Sequence, residues 1–126
     1  MKTIVVPTDF SAISLNAVNY AADLASVIKI DLSIVHVFSV PVIFNEIPVQ
    51  EYNNKKIYED AQERMAALER KIENRTKGKT KINTLLKQGD IVSSIDDYCK
   101  SVNVYAVVMG AESGHAFCLV QKQWRL

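Results

Sequence analysis

Lys2-Thr-Ile-Val-Val-Pro-Thr-Asp-Phe-Ser11 is the stretch whose reading decides the fold. Ile4, Val5 and Val6 form an apolar run without alternation, the pattern of a strand covered on both faces in a parallel sheet. Pro7 has no N–H for a ladder and ends the strand. Thr8 and Asp9 then fall just beyond its C-terminal end, and Ser11 is a suitable N-cap for the segment that follows. In open α/β sheets, ligands bind past the carboxyl ends of the strands where the strand order reverses. Asp9 is therefore either a ligand contact or a carboxylate that favours the N-terminus of the next helix through its dipole.

Outward from this stretch, residues 12–28 predict a helix with Leu15, Val18, Ala22 and Ala25 on one stripe. Residues 32–38 read as a second buried strand. Pro41 and Pro48 bracket a loop rich in apolar residues, either functional or a cover over the sheet end. A long helix is expected at about 51–76, with Ile57, Ala61, Met65, Leu68 and Ile72 inward and i,i+4 pairs Asp60–Arg64 and Glu73–Lys77 outward. Gly78 ends it. Residues 80–87 carry two lysines and read as an edge strand. Asp90 caps a third helix with Ile91, Ile95, Tyr98 and Val102 inside. Residues 104–109 form a fourth strand, apolar on both faces, followed by Gly110-Ala-Glu-Ser-Gly114.

This β-α-β-α-β-α-β alternation predicts an α/β fold, an open parallel sheet with helices on both faces. With the polar third strand at an edge, the order is 3-2-1-4. Pro7, Thr8, Asp9 and the Gly110–Gly114 loop then meet at one crevice. Gly110 and Gly114 serve either to bring backbone N–H groups to a phosphate or simply to turn the chain.

The chain has 126 residues, 48% of them hydrophobic, which predicts one domain spanning 1–126 with its own core. A net charge of +1 gives no nucleic-acid footprint. No apolar run reaches bilayer length, and the start on a strand is unlike a signal peptide. Cys99 and Cys118 lack metal or disulfide spacing, so they read as reduced thiols in a cytoplasmic protein. No general base or metal cluster stands out. His36 lies in an apolar strand and reads as a core or sheet-end histidine. Ser113 and His115 do not make a nucleophile elbow. Gly78-Lys79-Thr80 imitates the end of a P-loop, but residue 73 is glutamate and a strand follows.

Four segments together resemble the universal stress protein family: Ile4-Val-Val-Pro-Thr-Asp-Phe-Ser11, Val35-His-Val37, Gly89-Asp90 and Val107-Val-Met-Gly110. The resemblance covers residues 1–114. It implies a five-stranded parallel Rossmann-like sheet, with the family's fifth strand missing or replaced in this chain, and, in many members, ATP binding. Asp9, beside Pro7 and Thr8, matches the aspartate that meets ribose and adenine. Val37 matches the backbone contact to adenine. Gly110 and Gly114 match the start of a Gly-x2-Gly-x9-Gly-(Ser/Thr) phosphate pattern. Here the first two glycines are one residue too far apart and none follows, so the phosphate site is expected to be impaired. The implied ligand is ATP or AMP, with Mg only alongside ATP, and hydrolysis slow at most. The alternative is an interaction protein that holds no nucleotide. The tail 114–126 departs from the family, as a frame disruption, a truncation or a genuine short variant would each leave it. Ala116-Phe-Cys-Leu-Val120 is expected to pack over strand 4 as a strand or helical turn, and the chain to form a homodimer or larger homo-oligomer.

Overall fold

A computed structural model describes residues 2–38, 47–110 and 116–119, with 47–54 and 116–119 described through their backbone only. The elements in chain order are β1 (Thr3–Pro7), α1 (Ala12–Ile28), β2 (Asp31–Phe38), α2 (Ile47–Thr76), β3 (Ile82–Gln88), α3 (Ile91–Ser101), β4 (Val104–Gly110) and β5 (Ala116–Leu119). They build one sheet in the order β3-β2-β1-β4-β5. The first four strands are parallel, in the expected order 3-2-1-4. β1 lies at the centre and every one of its residues is buried. Its unbroken apolar run is thus the mark of a strand flanked on two edges and covered on two faces.

Side-chain alternation divides the core. Ile4, Val6, Leu32, Ile34 and Val108 face α1 and α2, meeting Ala17, Val18, Ala21, Ala22, Ala25, Met65, Leu68 and Ile72. Val5, Val35 and Val107 face α3, meeting Ile95 and Cys99. The alanine stripe brings α1 close to the sheet. At its other end, Lys29 takes the left-handed conformation (φ 59°) and its N–H returns to Ala25 O.

The fifth strand differs from the parallel one that the family resemblance implies. β5 runs antiparallel to β4, with Gly110 opposite Ala116 and Val107 opposite Leu119. Chain length explains the direction. Only residues 111–115 separate the strands, whereas a parallel neighbour needs a crossover of a dozen or more residues. The tail does cover the β4 edge, as a strand and within its own chain.

Other details depart from the pattern-based expectation. α2 begins at Ile47, so Pro48 occupies its first turn, where a missing N–H costs nothing. Lys77 (φ 54°) takes the first left-handed position after α2; Gly78 follows, its N–H returning to Glu73 O at 3.3 Å. Among the described residues, ion pairs form between Arg75 and Asp23, joining α2 to α1 at 2.9 Å, and between Lys100 and Asp96 within α3. Ile91 is 46% exposed and faces away from the core, while Cys99 takes the inner position on α3. Cys99 is a buried thiol. No described helix is long and apolar enough to cross a membrane.

Gly110 is required by close packing. A Cβ there would lie 2.7 Å from both the Cγ2 and the backbone oxygen of Ile13. The oxygen belongs to the first turn of α1 and cannot swing aside. Gly110→Ala is therefore expected to destabilise the protein by about 1–3 kcal/mol, the usual penalty of overpacking. A urea midpoint equal to that of the unaltered chain would contradict this packing account.

Candidate functional site

The loop leaving β1 is held by its own hydroxyls. The Thr8 N–H donates to Val35 O at 2.8 Å, extending the β1–β2 ladder by one bond. The Thr8 and Ser14 hydroxyl oxygens lie 2.9 Å apart, and the Phe10 N–H donates to Thr8 Oγ1 at 3.1 Å. The Thr8 carbonyl accepts from His36 Nδ1 at 2.7 Å. Thr8 is 5% exposed, and this local network supplies partners for its polar groups. Ser11 acts as the expected N-cap, its hydroxyl accepting from the Ser14 N–H at 3.2 Å. Such a cap is worth about 1 kcal/mol. Ser14 Oγ donates to Ser11 O at 3.1 Å and accepts from the Asp9 N–H at 3.3 Å.

Asp9 sits between these tethers. Its Oδ1 accepts from the Ser11 N–H at 2.9 Å, closing an Asx turn. Hydrogen bonding from Ser11, through its side chain first and its backbone second, holds the Asp9 carboxyl below its ordinary value of 3.8. Slight desolvation opposes that shift. The carboxylate is thus charged at neutral pH and exposed, at the mouth of a crevice.

That crevice has a volume of about 240 Å³. Pro7, Thr8, Asp9 and Gly110 line it, as the strand order requires. Ser11, Ile13, Ser14 and Ile91 complete the wall. The sequence reading gave none of these four a place in the site. For Ser11 and Ser14 the signal was present: hydroxyls three residues apart at a helix start aim at the same turn. For Ile13 and Ile91, 38% and 46% exposed, no local pattern tells an outward isoleucine from an inward one.

Gly110 and Val37, two of the expected site residues, make further contacts. Gly110 lines the crevice, but it is paired with Ala116 in the β4–β5 ladder and packed on Ile13. Val37 is outside the crevice lining and packs beside Val5, Val35 and Ile95. Its backbone is placed more suggestively. Because Val35 O faces β1, the N–H and C=O of Val37, two residues on, face the same side, past the point where β1 ends. Gly114, Glu112, Ser113 and His115 lie outside the described residues, as does the Pro41-to-Glu46 part of the loop. Among the described residues, no three His, Cys, Asp or Glu side chains gather as metal ligands.

An open sheet with four parallel strands in the order 3-2-1-4 and helices on its faces defines a Rossmann-like α/β architecture. The universal stress protein family model matches residues 1–117, and the chain belongs to that family. No curated protein matches it. Among solved structures, the chain is similar to universal stress protein UspA from Lactobacillus plantarum, with 20% identity, a TM-score of 0.75, and coverage of 90% of this chain and 81% of that one. It is also similar to a universal stress protein from Archaeoglobus fulgidus, at 17% identity and TM-score 0.58 over 86% of this chain and 74% of that one. A third, a universal stress protein in complex with cAMP, is 24% identical with TM-score 0.57 over 84% of this chain and 69% of that one.

The lowered Asp9 value carries a pH signature. A carboxyl whose folded value is depressed stabilises the fold above its unfolded value and loses that contribution as pH falls through the folded one. The stability gap between the unaltered chain and Asp9→Asn is therefore expected to be constant above about pH 5 and to close as pH drops below the ordinary carboxyl value. Thermal unfolding of both proteins across that range checks it; a gap that widens on acidification would refute the hydrogen-bond assignment.

Proposed function

We propose that the protein is a stress-response module that binds the adenosine part of an adenine nucleotide, AMP or ATP, at the carboxyl ends of β1 and β4. The observation that carries this reading is the Asp9 carboxylate, charged and tethered at the mouth of a crevice walled by Pro7, Ile13 and Ile91. A carboxylate accepts from ribose hydroxyls, the isoleucines offer apolar surface to a flat base, and the strand-end backbone of Val37 offers a donor and an acceptor edge. The cAMP complex of one structural neighbour supports an adenine nucleotide as the ligand class. Mg would accompany ATP only. Cytoplasmic location and a non-catalytic role belong to the same proposal.

The phosphate end is where this chain departs. Gly110 is taken up by the β5 ladder and by Ile13, so it offers no open cradle. At about 240 Å³ the crevice is smaller than the roughly 300–1,000 Å³ of usual ligand pockets, which suits part of a nucleotide better than a whole triphosphate. Adenosine and AMP are expected to bind nearly as tightly as ATP. A calorimetric titration in which ATP binds a hundredfold tighter, about 2.7 kcal/mol, would establish a phosphate site and defeat this part of the proposal. Asp9→Ala is expected to weaken adenosine binding more than it lowers stability. A fall in melting temperature with unchanged binding would leave Asp9 a structural cap alone.

A second reading, an interaction protein working as a homodimer or larger homo-oligomer, is favoured by one observation. β5 is short, it is the last strand of the sheet, and its outer edge has no partner strand among the described residues. A bare edge invites pairing with a second copy. Sedimentation of the full chain and of a version ending at Gly114 is expected to show association that depends on the tail. A monomer indifferent to losing the tail would rule this reading out.

A further inference from the structure

From the sequence His36 reads as a core or sheet-end histidine, and it does not line the crevice. Its contacts nevertheless bracket Asp9 on both sides. In regular parallel pairing, Thr8 would donate to Val35 O and then accept from the Val37 N–H. The first bond forms at 2.8 Å. The Thr8 carbonyl instead meets His36 Nδ1 at 2.7 Å. A carbonyl oxygen can only accept, so Nδ1 carries the proton. Thr8 is thereby turned out of the ladder, and two residues later the chain adopts φ 66° at Phe10. A left-handed conformation at a bulky residue costs about 1–2 kcal/mol and persists only where the surroundings enforce it. The enforcing contact is again His36, whose ring centre lies 4.6 Å from that of Phe10. The Arg64 guanidinium covers Phe10 at 6.0 Å. His36 is held in turn by β2 and by the stacked ring of Phe38, 5.9 Å away and inclined by 19°.

We propose that His36 is a positioning residue for the ligand site: its Nδ1–H clamps the Thr8 carbonyl and its ring seats Phe10, so that the Asp9 carboxylate between them is aimed at the crevice. Only the binding arm of the test rests on the adenine-nucleotide reading. A space-filling histidine would show the same burial, but it would not care which ring nitrogen carries a proton. Asparagine and glutamine separate the two roles. The asparagine amide nitrogen takes the place of Nδ1, and the glutamine nitrogen that of Nε2, while glutamine is closer to histidine in size.

The experiment compares His36→Ala, His36→Asn and His36→Gln by amide exchange at Phe10 and Ser11 and by adenosine titration, with thermal unfolding as the check on folding. The Ser11 N–H is the group that Asp9 Oδ1 accepts from, so its exchange reports Asp9 placement without any ligand. His36→Ala is expected to speed exchange at these amides and weaken adenosine binding, each by about tenfold, the scale of one lost hydrogen bond. His36→Asn keeps the donor without the ring and should restore both in part, and His36→Gln neither. With Asp9→Ala already in place, His36→Ala should change adenosine affinity no further, since His36 acts through Asp9. The proposal is overturned if glutamine matches or exceeds asparagine, or if exchange at Ser11 is unchanged in His36→Ala. If His36→Ala does not fold, the asparagine–glutamine pair decides. If the unaltered protein binds neither adenosine nor AMP, the nucleotide reading falls, and the exchange data still decide the role of His36.

Discussion

The end of β1 depends on Thr8 being satisfied in several directions at once. Its N–H is fixed to β2, its carbonyl to the His36 ring, and its hydroxyl to Ser14 in α1 and the Phe10 N–H. A buried polar group left without a partner costs about 1–3 kcal/mol, so each bond constrains where the loop can go. The same knot sets the start of α1 relative to the sheet. α1 then brings Ile13 against Gly110 on β4. Both walls of the crevice, one from β1 and one from β4, are therefore positioned through a single residue that contacts no solvent to speak of.

The strands and their order were legible because burial leaves a mark in composition. β1 and β4 lack alternation since both of their faces are covered, and β3 carries Lys87 because it lies at an edge. The caps at Ser11 and Asp90 were legible for a similarly local reason: each side chain accepts from an N–H three residues on. What could not be read rests on pairs distant in sequence. His36 reaches back 28 residues to Thr8, and Arg75 reaches 52 residues to Asp23. Neither residue type announces its partner. Among the described residues, Phe10, Lys29 and Lys77 are left-handed without being glycine or asparagine, so the usual marker of that conformation was absent at these three positions. At Lys29 and Lys77 the helix end imposes it; at Phe10 tertiary contacts do.

The site was legible by half for the same reason. Asp9, Thr8 and Pro7 follow from a strand's end and a switch point, both of which sequence order dictates. Gly110 lines the crevice, yet its packing depends on the direction taken by the next strand. That direction follows from how few residues separate β4 and β5, a constraint that acts through geometry and leaves no motif.

The antiparallel return has a chemical consequence. In an open parallel sheet the end of a central strand is free, and its backbone N–H groups can meet an anion. Here the ladder continues to Gly110 and Ala116. What remains at the mouth is Asp9, held charged at neutral pH by its bonds to Ser11. On the nucleotide-binding reading, a polyphosphate beside Asp9 would meet a like charge. Ribose hydroxyls, by contrast, are donors and match that carboxylate. On that reading, the uncharged end of a nucleotide would enter the crevice and the charged end would point out into water.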